Sequence, residues 1–172
     1  MVQKYNIQNK NYLMLLNGDQ KNTILTIVII IEIILLLWLL AMSIIDIRKG
    51  SFSGKYLFFA LVFFSVAIGI LCFLNLKDWK SVVSGGAAGS VFLIASNVTQ
   101  GAIGLGDGYI LTICGIVMGL YQVMVLIIFA LCLVSAFGIL LWVHKKAGRH
   151  TKIPFAPFIC AGYGVIFICS IL

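Results

Sequence analysis

Asp107 sits in the run Gly101-Ala102-Ile103-Gly104-Leu105-Gly106-Asp107-Gly108, one carboxylate among four glycines with apolar sequence on both sides. An ionised carboxylate is costly in hydrocarbon, so an acid in such a place is a functional candidate by default. Glycine permits close backbone approach and unusual φ/ψ, which would let a substrate main chain lie against the acid. The plainer alternative is a turn between two helices, with Asp107 capping the second. A second acid, Asp46, closes the first long apolar run. Two carboxylates within a few ångströms cannot both ionise cheaply, so such a pair keeps one proton. That arrangement activates water against a peptide carbonyl: one carboxylate takes a proton from the water and the other donates to the substrate. Spacing alone equally allows two independent aspartates at helix ends.

Whether the pair can meet depends on the helices that carry it. The chain has 172 residues, 62% hydrophobic and 10% charged, far from the roughly 25% charged share of soluble domains. The expected class is an all-α polytopic membrane protein with about six transmembrane helices. Residues 1–23 read as a polar N-terminal arm, without the short apolar core and cleavage site of a signal peptide. Residues 24–172 read as one six-helix membrane domain, with apolar runs over 24–45, 56–74, 82–98, 107–120, 123–143 and 153–172. The first run would reach about 33 Å as a helix, enough to cross a bilayer. The fourth gives only about 21 Å, so the turn from Gly104 to Gly106 is expected to be non-helical and to dip below the membrane surface, with the helix starting at Asp107. The run Gly85-Gly86-Ala87-Ala88-Gly89-Ser90 offers a small-residue face for close packing, as does the Gly115/Gly119 pair.

Six spans place Asp46 and Asp107 at one face of the membrane, whichever way the chain is oriented. The net charge of +7 is read through loop placement, not as affinity for nucleic acid. The first, third and fifth connections carry seven basic residues (Arg48, Lys49, Lys55, Lys145, Lys146, Arg149 and Lys152) against five elsewhere. This bias favours a cytoplasmic position for the connections that bear the two acids.

Gly104-Leu105-Gly106-Asp107, a preceding helix end bearing Asp46, and the late segment Pro154-Phe155-Ala156-Pro157-Phe158 together resemble the type IV prepilin peptidase family. These are GxGD intramembrane aspartyl proteases, with preflagellin peptidases as relatives, and the resemblance covers about residues 24–172. It implies Asp46 and Asp107 as the catalytic pair, with Gly104, Gly106, Tyr109, Pro154 and Pro157 as substrate-contacting positions. It implies a prepilin or pseudopilin substrate with a basic leader and an apolar segment that stays in the bilayer. Cleavage would fall at the cytoplasmic face of the cell membrane. Two departures bear on substrate contacts: Gly50-Ser51-Phe52-Ser53 lacks the proline that members often carry there, and Tyr109 stands where many have lysine. The cysteine pairs of the larger, N-methylating members are missing, so the chain resembles the peptidase-only form.

Two other functions remain open on the sequence: a GxGD protease of other membrane segments such as signal peptides, and a non-enzymatic component or proton-coupled transporter. Cys72, Cys114, Cys132, Cys160 and Cys169 all lie in apolar runs without a CxxC pair, and read as small hydrophobes. His144 and His150 have no metal-ligand spacing. No disulfide, metal or cofactor is therefore expected. Glu32, about 21 Å before Asp46 along a helix, is too far to join the pair, and no lysine or arginine lies within another span to meet it. A structural or tuning role is expected for it.

Overall fold

A computed structural model describes residues 18–49, 54–74, 77–98, 104–143 and 154–171. Six helices account for nearly all of them: α1 (Gly18–Lys49), α2 (Gly54–Phe73), α3 (Trp79–Val98), α4 (Leu105–Met118), α5 (Leu120–Val143) and α6 (Ala156–Ile171). The chain is an all-α polytopic membrane protein. Three stretches, Thr26–Arg48, Gly54–Phe73 and Leu120–Leu140, are long and apolar enough to cross a membrane. Large apolar side chains such as Leu37, Phe59, Phe73 and Ile128 point away from the bundle. Lipid solvates such a surface at no cost, which is why an outward hydrophobic face is ordinary here.

The centre of the bundle is its shortest helix. α4 has 14 residues, about 21 Å, and Ile110, Leu111, Ile113, Cys114 and Val117 are all at most 1% exposed. A helix apolar on every side belongs inside, and this one is enclosed by α2, α3 and α5, with α1 touching it more lightly. Gly108, Thr112, Gly115 and Gly119 recur at helical spacing and form one stripe along it. That stripe meets Gly85 and Gly89 of α3 backbone to backbone. A Cβ on Gly115 would run into the Gly85 carbonyl, one on Gly89 into the Thr112 main chain, and one on Gly108 would lie 2.9 Å from Leu93 N. The small-residue face expected on the third helix is thus the contact that seats the fourth. Thr112, in the middle of the stripe, turns its hydroxyl back onto the Gly108 carbonyl at 2.8 Å, so no polar atom is stranded in the contact.

The helix ends follow local chemistry. The Asp78 carboxylate accepts from Lys80 N–H at 3.3 Å and caps α3, and Trp79 beside it is 62% exposed, as suits an interface. α4 and α5 are separated by Gly119 alone, at φ 86°, with its N–H on the Gly115 carbonyl at 2.8 Å. The apolar pattern had placed this break at Tyr121-Gln122, yet both lie inside α5. A positive φ requires glycine, whereas a lone glutamine leaves a helix intact. α1 packs chiefly on α6, joining the first helix to the last. Against α2 it makes an edge-on ring contact, Trp38 to Phe64 at 6.0 Å, beside an apolar cavity of about 460 Å³ lined by Ile34, Met42 and Phe59.

The glycine contact makes a contrast testable by thermal unfolding in detergent. Gly115→Ala should cost about 1–3 kcal/mol, the usual range for overpacking. Gly69→Ala, with nothing within 4 Å of the new Cβ, should be neutral or stabilising by up to about 1 kcal/mol.

Candidate active site

Three helix ends converge at one end of the bundle: the C-terminus of α1 and the N-termini of α4 and α6. Asp46 lies in the last turn of α1 and is 8% exposed. Its Oδ2 accepts from the Ala156 N–H at 3.2 Å, and the Phe155 N–H also bonds to the carboxylate. These amides lie at the N-terminus of α6, have no acceptor inside that helix and favour an anionic partner. Asp107 is the third residue of α4, in the half-buried range, and its carboxylate interacts electrostatically with that of Asp46. Asp46 and Asp107, 61 positions apart in the sequence, are thus carried to the same end of the bundle, near enough for their charges to act on one another.

The glycines around Asp107 have separate tasks. Gly104 is the N-cap, at φ −60° and ψ 124°, and its carbonyl accepts from the Asp107 N–H at 3.1 Å. These angles are open to any residue; the need for glycine is spatial. A Cβ at 104 would stand 2.8 Å from Asp107 Oδ2, so the side chain folds back over a bare Cα. Gly104 and Leu105 are exposed and Gly106 is half-buried, whereas Gly108 faces α3. The expected helix start is corrected, and the plainer alternative for Asp107 falls away. Leu105 and Gly106 are helical, because the first turn already closes on Gly104, and only Gly104 stays outside the helix. Asp107 is no cap either: Gly104 holds that position without a side-chain bond. Residues 101–103 lie outside the described residues.

The proline segment reaches the site through its backbone. Pro157 occupies the first turn of α6, where a missing N–H leaves no helical bond unmade. Pro154 precedes the helix, and Phe155 accepts from the Phe158 and Ile159 amides at 3.0 and 3.3 Å. The residues between the prolines, Phe155 and Ala156, are what touch Asp46. Their role leaves no mark on the sequence, because a main-chain amide has no side-chain signature. Tyr109 is half-buried and packs on the core beside α4's apolar residues. Segment 50–53, His144 and His150 lie outside the described residues. The five cysteines are free thiols, Cys114 and Cys160 within the core.

A second polar cluster occupies the other end of the bundle. Lys77, in the connection between α2 and α3, donates from Nζ to the Val117 carbonyl in the last turn of α4. Burial pushes its ammonium below the ordinary lysine range, while the nearby Glu32 carboxylate and Cys72 push it back up. The expectation that Glu32 meets no cation from another span missed a lysine reaching in from a connection. Tyr163 of α6 donates to the Glu32 backbone carbonyl at 3.2 Å.

The sequence model of the type IV leader peptidase family matches residues 33–139, from within α1 to within α5. The chain belongs to the type IV leader peptidase family. A Bacillus subtilis protein named prepilin leader peptidase/N-methyltransferase is 27% identical over 125 residues, which is 72% of this chain and 49% of that protein. The chain thus spans about half the length of this curated relative. No solved structure matches it. The part matched to the leader peptidase family holds both aspartates, the α3–α4 glycine contact and Lys77, while the α6 amides lie beyond it.

The contact between α6 and Asp46 is testable in this member of the leader peptidase family without any substrate. Ala156→Pro deletes the donor at a first-turn position that tolerates proline. In a double-mutant cycle with Asp46→Ala, thermal unfolding should give a coupling of about 1–2 kcal/mol, the net worth of such a bond. Purely additive losses would mean that the bond contributes nothing.

Proposed function

We propose that the protein is a membrane aspartic endopeptidase that removes leader peptides from prepilin-like substrates, with Asp46 and Asp107 as its catalytic pair. The observation that carries this reading is that two carboxylates stand at one end of the bundle and act on one another electrostatically. Membership of the leader peptidase family supports the substrate class. The name of the Bacillus subtilis relative points the same way, and the proposal takes up its peptidase half alone.

Asp46 accepts two backbone amides, which fits a carboxylate that receives a proton from the attacking water. Asp107, beside exposed Gly104, is then the acid. It hydrogen-bonds the scissile carbonyl oxygen, and its proton completes the departing amine. Water adds to the carbonyl carbon, the C–N bond breaks, and one acid and one amine result. The pair finishes with the proton on Asp46, and exchange with water resets it. Gly104 and Gly106 offer a path on which substrate backbone approaches Asp107 without side chains between. Tyr109, Pro154 and Pro157 border that path. The basic residues beside the site, Arg48 and Lys55 among them, favour a cytoplasmic position for this end of the bundle in the cell membrane. The substrate's apolar segment would remain in lipid alongside.

The decisive experiment is cleavage of a purified prepilin in detergent or nanodiscs. Asp46→Asn and Asp107→Asn should each lower kcat by at least about 10²–10⁴-fold while leaving the protein inserted and folded. Near-wild-type cleavage by both variants would remove the pair from the mechanism.

The same assay run against pH should give a bell. On the acid side the pair takes up a second proton and no base remains. On the alkaline side the pair loses its one proton and no acid remains. Only the singly protonated pair turns over, so both limbs belong to the pair and not to either residue. A rate that is flat across both limbs would contradict acid/base use of the two carboxylates.

A further inference from the structure

We infer that Lys77 is a positioning residue that ties α1 to α4 at the end of the bundle opposite the aspartates, and so sets the spacing of Asp46 and Asp107. For its effect on cleavage this rests on the function proposed above; its structural half does not. The two helices that carry the aspartates share little direct packing, since α1 leans mainly on α6 and α4 on α3 and α2. Something else must hold their relative height.

The geometry at the far end is suited to that task. α1 arrives at the site with its C-terminus and α4 leaves it from its N-terminus, so the two run antiparallel. Glu32 is 14 residues before Asp46, about 21 Å along α1. Val117 is 10 residues after Asp107, about 15 Å along α4. The difference, about 6 Å, is within the length of an extended lysine stem. Lys77 lies in this interval. Its Nζ donates to the Val117 carbonyl, one of the four that an α-helix leaves unpaired at its C-terminus. An ammonium there also faces the negative end of the α4 dipole. The Glu32 carboxylate, 9% exposed, acts on the same charge from α1. Among the described residues, Cys72 at the end of α2 and Asp78 at the start of α3 are the other titratable groups around the cluster. A change at Lys77 therefore loosens α4 at its lower end and takes a cation away from Glu32. With the far ends untied, α1 and α4 can slide, and the aspartates move with them.

A residue that merely caps α4 would affect stability and nothing at the other end of the helix. The test reads the other end directly. In the full chain with its native cysteines replaced, spin labels go on Ile47 and Leu105, which are 64% and 49% exposed and stand beside Asp46 and Asp107. Electron–electron distance measurement should give one narrow distribution with Lys77 present. Lys77→Met and Glu32→Gln should each broaden it, and the double variant should broaden it no further. Lys77→Arg, which keeps the charge and the donors, should restore the narrow distribution. In the unlabelled enzyme, cleavage of a synthetic peptide with a basic leader, a glycine and an apolar segment should show kcat reduced about tenfold or more in Lys77→Met, with KM within about twofold of wild type. Glu32→Gln, nearly isosteric, serves the same purpose if Lys77→Met does not fold. An unchanged distance distribution in either folded single variant overturns the proposal, as does a normal kcat alongside a broadened one. Failure of the wild-type chain to cleave the peptide would count against the proposed function, while the distance measurements would still decide the role of Lys77.

Discussion

Direct backbone contact between α3 and α4 is the constraint on which the rest of the molecule depends. A 14-residue helix cannot cross a bilayer alone, and its 21 Å would leave exposed ends in hydrocarbon. It is tolerated because protein surrounds it, and protein can surround it because glycines let α3 approach without side chains between. Hydrophobic attraction between helices is weak in lipid, so the seat must come from dispersion across a close contact. The N-terminus of α4, and Asp107 with it, then stands where α1 and α6 deliver their own ends.

The site is built from termini and not from helix faces. A carboxylate placed mid-helix in an apolar bundle would have to find partners among side chains. At the junction of α1, α4 and α6 it finds unpaired amides that the fold would otherwise have to satisfy in some other way. Asp46 and the α6 terminus therefore each relieve the other's cost of burial. Lys77 and the last turn of α4 repeat the device with opposite charge at the far end. One short helix thus carries a carboxyl group at its positive end and meets a cation at its negative end.

Much of this was legible in the sequence because it rests on composition and periodicity. The six helices, the common face of the two acids and the packing role of the Gly85–Gly89 segment all follow from patterns that survive without coordinates. The details that escaped are of another kind. Whether Gly106 is helical depends on where a first turn closes, and the Gly104 carbonyl closes it one residue earlier than apolar length suggests. The break at Gly119 rather than at Tyr121-Gln122 reflects a dihedral angle, which hydropathy does not encode. Ala156 and Phe155 act through main-chain amides, so their identities carry no trace of what they do. Lys77 lies in a polar connection and looks solvated until the fold turns its stem inward.

The pairing of the first helix with the last has a consequence for how the protein is made. Asp46 and the amide that receives it are 110 residues apart. At a synthesis rate of about 5–20 residues per second, α1 enters the membrane roughly 5–22 s before α6 exists to meet it. During that interval the Asp46 carboxylate must be accommodated at the water interface, or by whatever machinery inserts the chain. Its position three residues from the C-terminus of α1, beside Arg48 and Lys49, keeps it at the edge of hydrocarbon until the bundle closes. Completion of this end of the bundle thus waits for the last helix, and a nascent chain stopped short of α6 holds both acids but not the donor that seats the first.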